Sequence, residues 1–169
     1  MRGLIAVVVV VVLVAEGCGG AGGEELIEQL AEASGADDVE VDISDDGSSI
    51  SVDTDEGTFA IGSGVDVPDG LTYPLPDGGD VTTAGSDGSY VFAAVQYPID
   101  RYDEIVDLYT EWTSADDGEW ELIESTTEIS GDIIRSAQWV SGPSAIVVND
   151  CASLSGEFDA VCVTLNQSG

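Results

Sequence analysis

The chain has 169 residues, enough for one domain or a small domain with an appendage, and its apolar content of 43% is too high for general disorder. Its 34 acidic residues face three arginines, and it contains neither lysine nor histidine. This composition excludes histidine-based nucleophile systems, Schiff-base and P-loop lysines, and a basic surface for nucleic acid.

Residues 1–17 have the pattern of an export signal. Arg2 precedes an unbroken apolar run from Leu4 to Ala15, which is too short to span a hydrocarbon core of about 30 Å as a helix. Ala15 and Gly17 place small residues at the third and first positions before Cys18, as signal peptidases require. We therefore predict a signal peptide over 1–17, with an uncleaved membrane helix as the alternative.

The sequence Ala15-Glu16-Gly17-Cys18 resembles the lipobox of bacterial lipoproteins, in which the cysteine is acylated and becomes the mature N-terminus. The resemblance implies an exported protein with a lipid on Cys18, anchored on the outer side of the cytoplasmic membrane or in the cell envelope. Residues 18–23 are rich in glycine and fit a flexible tether behind such an anchor.

The number of cysteines supports the same interpretation. Export implies an oxidising compartment in which thiols pair, and the chain has three cysteines. Cys151 and Cys162 flank a short loop between two apolar runs, so we predict a disulfide between them. Cys18 is then left over, either for acylation or as a free thiol.

Residues 24–64 are predicted to form a helix and a β-meander. The helix, over 24–34, has apolar side chains on one face. Apolar and polar positions then alternate in three runs within 39–61, separated by turn sequences, which predicts three strands with one apolar face. Residues 65–80 hold three of the five prolines and indicate an extended connector, with a proline-rich recognition ligand as the alternative.

Residues 81–169 are predicted to form the main domain. The nearly continuous apolar run 90–97 is typical of a central strand, and apolar side chains recur at helical spacing over 102–112, after Asp100 as the N-cap. Four further strands are predicted around 120–122, 133–140, 145–148 and 160–165. The order strand, strand, helix, four strands predicts an α+β fold, an antiparallel sheet with one amphipathic helix.

Three features follow one another in this part of the chain: a proline-glycine segment at 74–78 before a strand, a helix that contains Tyr109, and a strand that starts near Gly118 and Trp120. Together they resemble a pattern in small bacterial lipoproteins of unknown function. The resemblance covers roughly residues 68–169 and implies no particular chemistry.

A calcium site is the metal hypothesis that the residues suggest. Asp42, Ser44, Asp46, Gly47 and Asp53 fit positions 1, 3, 5, 6 and 12 of an EF-hand loop. The flanking residues alternate like strands rather than helices, and acidic turn sequences arise by chance in so acidic a chain. We therefore favour a hairpin turn over a calcium site formed by Asp42, Ser44, Asp46 and Asp53.

Two other hypotheses concern side chains that are abundant or large. A carboxylate-dependent hydrolase needs only two acids at a defined separation, but the sequence offers no means of choosing them. The aromatic residues Tyr102, Tyr109 and Trp112, together with Trp120 and Trp139, are expected to be core residues, with a binding stripe as the alternative.

The sequence therefore predicts a non-enzymatic, envelope-anchored lipoprotein with a binding or structural role. No catalytic residue, cofactor or nucleic-acid partner is expected; the expected contacts are the membrane, through the lipid, and a cationic or other envelope partner for the acidic surface. A secreted calcium-binding or calcium-stabilised module is the first alternative, and a carboxylate-dependent hydrolase is the second.

Overall fold

The computed structural model describes residues 39–44, 47–55, 57–129, 132–151 and 159–169. In these ranges the chain forms nine strands and one α-helix, so the predicted antiparallel sheet with one amphipathic helix is confirmed. The helix predicted over 24–34 lies outside the described residues. The elements are β1 (Glu40–Ile43), β2 (Ser49–Thr54), β3 (Gly57–Gly62), β4 (Asp80–Ser86), β5 (Tyr90–Pro98), a 3₁₀ turn (Ile99–Arg101), α1 (Tyr102–Ala115), β6 (Glu121–Ile129), β7 (Asp132–Ser141), β8 (Ser144–Cys151) and β9 (Ala160–Ser168).

All nine strands belong to one sheet, in the order β1-β2-β3-β4-β5-β9-β8-β7-β6, and every neighbouring pair is antiparallel. The meander β1–β3 joins the carboxyl-terminal strands through the β3–β4 pair. Strand β9, the last in the sequence, lies between β5 and β8 and so closes the centre of the sheet.

Helix α1 packs against the centre of the sheet. Its residues Ile105 and Tyr109 are fully buried in a cluster with side chains of β5, β7, β8 and β9. The predicted helical spacing is therefore correct, because the apolar positions of one face meet the sheet. Within the described ranges, no helix is long and apolar enough to cross a membrane.

The predicted N-cap of this helix is wrong. Asp100 lies inside the 3₁₀ turn, and α1 begins at Tyr102 with Arg101 as its N-cap and without a side-chain capping bond. The turn starts directly after Pro98, so the chain is already helical at Asp100. In this position the carboxylate still lies near the positive end of the helix dipole.

The connector between β3 and β4 crosses the sheet on the side of the helix. Three buried tyrosines hold it through their hydroxyl groups: Tyr109 donates to the carbonyl of Pro74 at 2.8 Å, and Tyr97 donates to that of Pro76 at 3.1 Å. Tyr73, within the connector, donates to the carbonyl of Asn166 in β9 at 3.2 Å. The connector thus completes the cover over this face.

The amino-terminal strands turn their apolar side chains to the opposite side of the sheet. Buried Val41, Val52 and Phe59 occupy one row of cross-strand neighbours, and this row continues through Gly85 to Phe92 of β5. The rings of Phe59 and Phe92 are 6.1 Å apart. Because side chains alternate along β5, Phe92 points away from the face that carries Val95 and Tyr97 in the helix-side core.

Candidate functional site

Two residues that the sequence singles out, Cys18 and Asp46, lie outside the described residues. Cys151 and Cys162 are joined by a disulfide with their Cα atoms 5.7 Å apart, so the predicted bridge is confirmed. It connects the end of β8 to β9, beside the pair Cys151–Ala160. With these two thiols bonded, Cys18 is the remaining cysteine of the chain.

The other residues of the calcium hypothesis lie in the hairpin formed by β1 and β2. Asp42 is in β1 and Asp53 is in β2, so strands flank the turn where an EF-hand has helices. The hydroxyl of Ser44 accepts a hydrogen bond from the amide of Ser49 at 2.9 Å and donates to its carbonyl at 3.2 Å. Across the described ranges, no group of three or more acidic or cysteine side chains could hold a metal ion.

Both arginines of the described chain are engaged in ion pairs. Arg101 binds Glu104 through two hydrogen bonds of 2.9 and 2.6 Å and donates to the carbonyl of Asp77 at 2.7 Å. This contact raises the pKa of Arg101 and lowers that of Glu104. Glu104 is largely exposed, so water and salt weaken the pair.

Arg135 is held more firmly, at the point where β7 leaves β8. The side chain of Asp150 is 3% exposed, and its carboxylate accepts from the backbone amide, Nε and a terminal nitrogen of Arg135 at 2.8–2.9 Å. The guanidinium lies 3.9 Å from the ring centre of Tyr102. The bond to Asp150 raises the pKa of Arg135. Neither arginine is therefore available as a simple anion-binding group.

The tyrosines on the side of the helix are structural rather than acid–base groups. Burial raises the pKa of Tyr97 to about 12 and raises the pKa values of Tyr73, Tyr102 and Tyr109 above the usual 10. These phenols are protonated at neutral pH. Tyr73, Tyr97 and Tyr109 donate hydrogen bonds to backbone carbonyls.

The interpretation of the aromatic residues as core is confirmed for Tyr102, Tyr109 and Trp139, which are buried. Trp112 and Trp120 are different, because each is only partly buried at the edge of the core. Their rings meet edge to face, with centres 5.8 Å apart and an angle of 66° between planes. These two residues and Tyr73 form the indole cluster.

Tyr73 is the buried base of the indole cluster. Its ring centre lies 5.3 Å from that of Trp112 and 6.1 Å from that of Trp120, in edge-to-face contacts of 74° and 73°. Edge-to-face aromatic contacts are favourable beyond their buried area, so the three rings orient one another. The two indoles are therefore held in fixed positions while part of their surface remains open to solvent.

Carboxylates border the indole cluster. Asp116, the C-cap of α1, accepts a hydrogen bond of 2.8 Å from Nε1 of Trp120. A side chain on Gly118 would collide with this same pair, so the glycine permits the close loop. Asp117 and Glu119, in the same loop, are exposed. Aromatic faces beside carboxylates suit a cation, which interacts with both the ring quadrupole and the charge.

Sequence reasoning found the two indoles but not their neighbour. Tyr73 belongs to the proline-rich connector, far from the helix in sequence, and no local pattern links it to Trp112. For the contact between Asp116 and Trp120 a local signal was available, because a carboxylate four residues before a tryptophan can reach its Nε1 across a tight loop that contains Gly118.

Comparisons with family models, with curated proteins and with solved structures find no match for this chain.

Proposed function

We propose that this protein is an exported lipoprotein, anchored through an acylated Cys18, whose folded sheet binds a cationic partner without catalysing a reaction. The anchor is supported by the apolar leader, by the lipobox-like residues before Cys18 and by the disulfide that engages the other two cysteines. The site of binding is the indole cluster.

The observation that carries the binding role is the partial exposure of Trp112 and Trp120. Both indoles are fixed against buried Tyr73, so a ligand would meet a surface that is already ordered and would lose little conformational entropy. Carboxylates on the loop between the indoles add attraction for positive charge, and the formal net charge of −31 draws cations from a distance.

A catalytic role has less support. The chain has no histidine or lysine, both described arginines are ion-paired, and the buried tyrosines have raised pKa values. A hydrolase would therefore depend on exposed carboxylates alone. The calcium-module alternative rests on Asp42, Ser44, Asp46 and Asp53, of which Asp42 lies in β1 and Asp53 in β2, where an EF-hand would have helices beside its loop.

The binding role is tested with tetramethylammonium chloride as a probe of cation binding to aromatic faces. Tryptophan fluorescence of the purified protein should change saturably with this salt and not with sodium chloride at equal ionic strength. The effect should disappear in Trp112→Ala and in Trp120→Ala and persist in Tyr90→Ala, a substitution of a partly buried aromatic residue on β5. Identical responses to the two salts would overturn the cation site.

The anchoring role is tested separately, by fractionation of cells that express the chain and its Cys18→Ser variant. The unaltered chain should sediment with membranes and dissolve in detergent, whereas the variant should leave the membrane fraction. Equal membrane association of both proteins would exclude a lipid on Cys18 as the anchor.

A further inference from the structure

Strand β6 is an edge strand of the described sheet, and its side chains are unusually exposed. It ends the sheet in the part of the chain that the structure describes, and its residues Glu121–Glu128 are all exposed. It pairs with β7 along nine positions, whereas β7 pairs with β8 only from Ser136 to Ser141. The outer half of the β6–β7 hairpin therefore extends beyond the rest of the sheet.

The same hairpin carries most of the large apolar side chains that are exposed in the part of the chain that the structure describes. Large apolar side chains that are exposed in the described residues number four, and three of them are Leu122 (41% exposed), Ile123 (49%) and Ile133 (66%). Exposed apolar side chains along a sheet edge, here on both faces of the hairpin, indicate a pairing surface.

The charges on β6 select one way in which two copies can pair. Antiparallel pairing about a two-fold axis perpendicular to the sheet places residues of the same face opposite each other. The axis therefore passes midway between the two copies of one residue, which names the register. With the axis at Ser125, all nine residues of β6 find a partner. Glu121 then faces Ile129, Glu124 faces Thr126, and Glu128 faces Leu122 of the second copy.

Neighbouring registers are worse. An axis at Glu124 sets this glutamate against its own copy, and an axis at Thr126 sets Glu124 against Glu128. Like charges directly opposite each other across a strand pair are destabilising. The three glutamates therefore allow full-length self-pairing in the Ser125 register and oppose these two slipped ones.

The Ser125 register also brings the exposed apolar side chains together. Ile123 faces Thr127 of the second copy, and Thr127 is itself the cross-strand neighbour of Ile134. On the other face, Leu122 meets Glu128 of the second copy, whose neighbour is Ile133. Each apolar side chain thus gains contacts with a β-branched side chain or an aliphatic stem.

We infer that β6 pairs antiparallel with β6 of a second copy, centred on Ser125, so that the sheet continues across two molecules. A single strand-to-strand contact buries less than a standard interface, and each copy carries a formal net charge of −31. The dimer is therefore weak at low ionic strength and strengthens as salt screens the repulsion.

Cysteine crosslinking tests the register directly. In the full chain with Cys18→Ser, Ser125→Cys places two thiols at the two-fold axis, with Cβ atoms about 5 Å apart. The matched control Thr127→Cys, on the same face, separates its two Cα atoms by roughly 13 Å along the strand direction. Mild oxidation in high salt should crosslink the Ser125 variant at least ten-fold faster than the control.

Charge substitutions at Thr126 test the same register without a thiol, by sedimentation of the full chain in a sodium chloride series. Thr126→Glu should raise the dimer dissociation constant by roughly 2- to 30-fold, because it opposes Glu124 at two symmetric positions, and Thr126→Lys should lower it by a similar factor. The controls Thr110→Glu and Thr110→Lys make the same charge changes at an exposed helix position and should shift dimerisation far less.

Three results would overturn the inference. These are a monomer at every salt concentration, equal crosslinking of the Ser125 and Thr127 variants, and equal effects of the Thr126 and Thr110 charge changes.

Discussion

The helix-covered centre of the sheet and its amino-terminal strands bury their apolar side chains on opposite sides. In the centre, α1 and the connector cover β5, β9, β8 and β7, and the resulting core cluster includes Trp139, Ile146 and Leu165. In β1–β3, the buried side chains are Val41, Val52 and Phe59, and none of them belongs to that cluster. One continuous sheet therefore carries two separate apolar surfaces.

The reason lies in the alternation of side chains across the shared strand β5. Phe92, at the start of β5, faces the row of Phe59, whereas Val95 and Tyr97 face the helix. Hydrogen bonds couple the two regions, but their side chains do not share a core. The contribution of each region to stability can therefore be measured with substitutions that leave the other region unchanged.

The two regions should differ most in how much the free energy of unfolding falls when an aromatic side chain is removed. Trp139→Ala should reduce the free energy of unfolding by about 3–5 kcal/mol, because the cavity lies between two layers and cannot collapse easily. Phe59→Ala should cost less, since Phe59 lies among outer strands. Urea titrations measure both, with Val67→Ala, at an exposed position of the connector, as a control near 0.5 kcal/mol or below. A larger loss for Phe59→Ala would contradict the comparison.

Alkaline pH should act on the helix-covered region. Tyr73, Tyr97, Tyr102 and Tyr109 all lie there, and burial raises the pKa of each. The folded state retains these protons above pH 10 while the unfolded state loses them. The stability that the tyrosines contribute is therefore fully present below pH 10 and is lost as pH rises towards 12. The slope is at most about 1.4 kcal/mol per pH unit for each tyrosine.

The chain has no lysine, so tyrosines dominate its titration in this pH range. Tyrosinate absorbance and circular dichroism, followed together, should show ionisation of these tyrosines coupled to unfolding. Tyr97→Phe should reduce the slope. Full ionisation near pH 10 with the fold intact would contradict the burial of these phenols.

The disulfide joins β8 to β9 in the helix-covered centre of the sheet. It closes a loop with a sequence separation of 11, and the chain-entropy relation for such a loop gives about 3 kcal/mol. The double substitution Cys151→Ala and Cys162→Ala should lower the free energy of unfolding by that amount. In hydrogen exchange, the amides of β1–β3 should lose no more protection than this drop in the free energy of global unfolding accounts for. A thiol assay on denatured, unreduced protein should find neither cysteine reactive, and two titratable thiols would disprove the bridge.

The smallest expected effect is that of salt, which acts on both regions through their acidic surfaces. Sodium and potassium chloride should raise the melting temperature by similar amounts, because both screen a formal net charge of −31. Calcium should help somewhat more at equal ionic strength. Stabilisation that saturates at micromolar calcium in high sodium chloride, and that Asp46→Ala abolishes, would favour the calcium module instead.

The sequence predicts most of this fold because its signals are local. Alternation in β1–β3 and the helical spacing after Tyr102 each reflect contacts on one face, whereas the continuous apolar run in β5 reflects contacts on both faces of the sheet. The disulfide was predictable for a similar reason, since Cys151 ends β8 and Cys162 lies near the start of the next strand in sequence, β9.

The features that could not be predicted depend on contacts between distant segments. The side of the sheet on which Phe59 lies follows from pairing across β3, β4 and β5, which no single segment specifies. Tyr73 reaches Trp112 only because the connector crosses the helix side of the sheet. The start of α1 was misplaced because the 3₁₀ turn after Pro98 brings Asp100 into helical geometry before Tyr102.

In our proposal an acylated Cys18 anchors the folded sheet to the membrane, and the intact mass of the exported protein tests this anchor most directly. Purification from the membrane fraction should yield a chain that begins at Cys18 and carries the added mass of lipid, with Cys151 and Cys162 still bonded. A mass that corresponds to an unmodified Cys18, or to a chain that retains residues 1–17, would contradict the proposal of a lipoprotein.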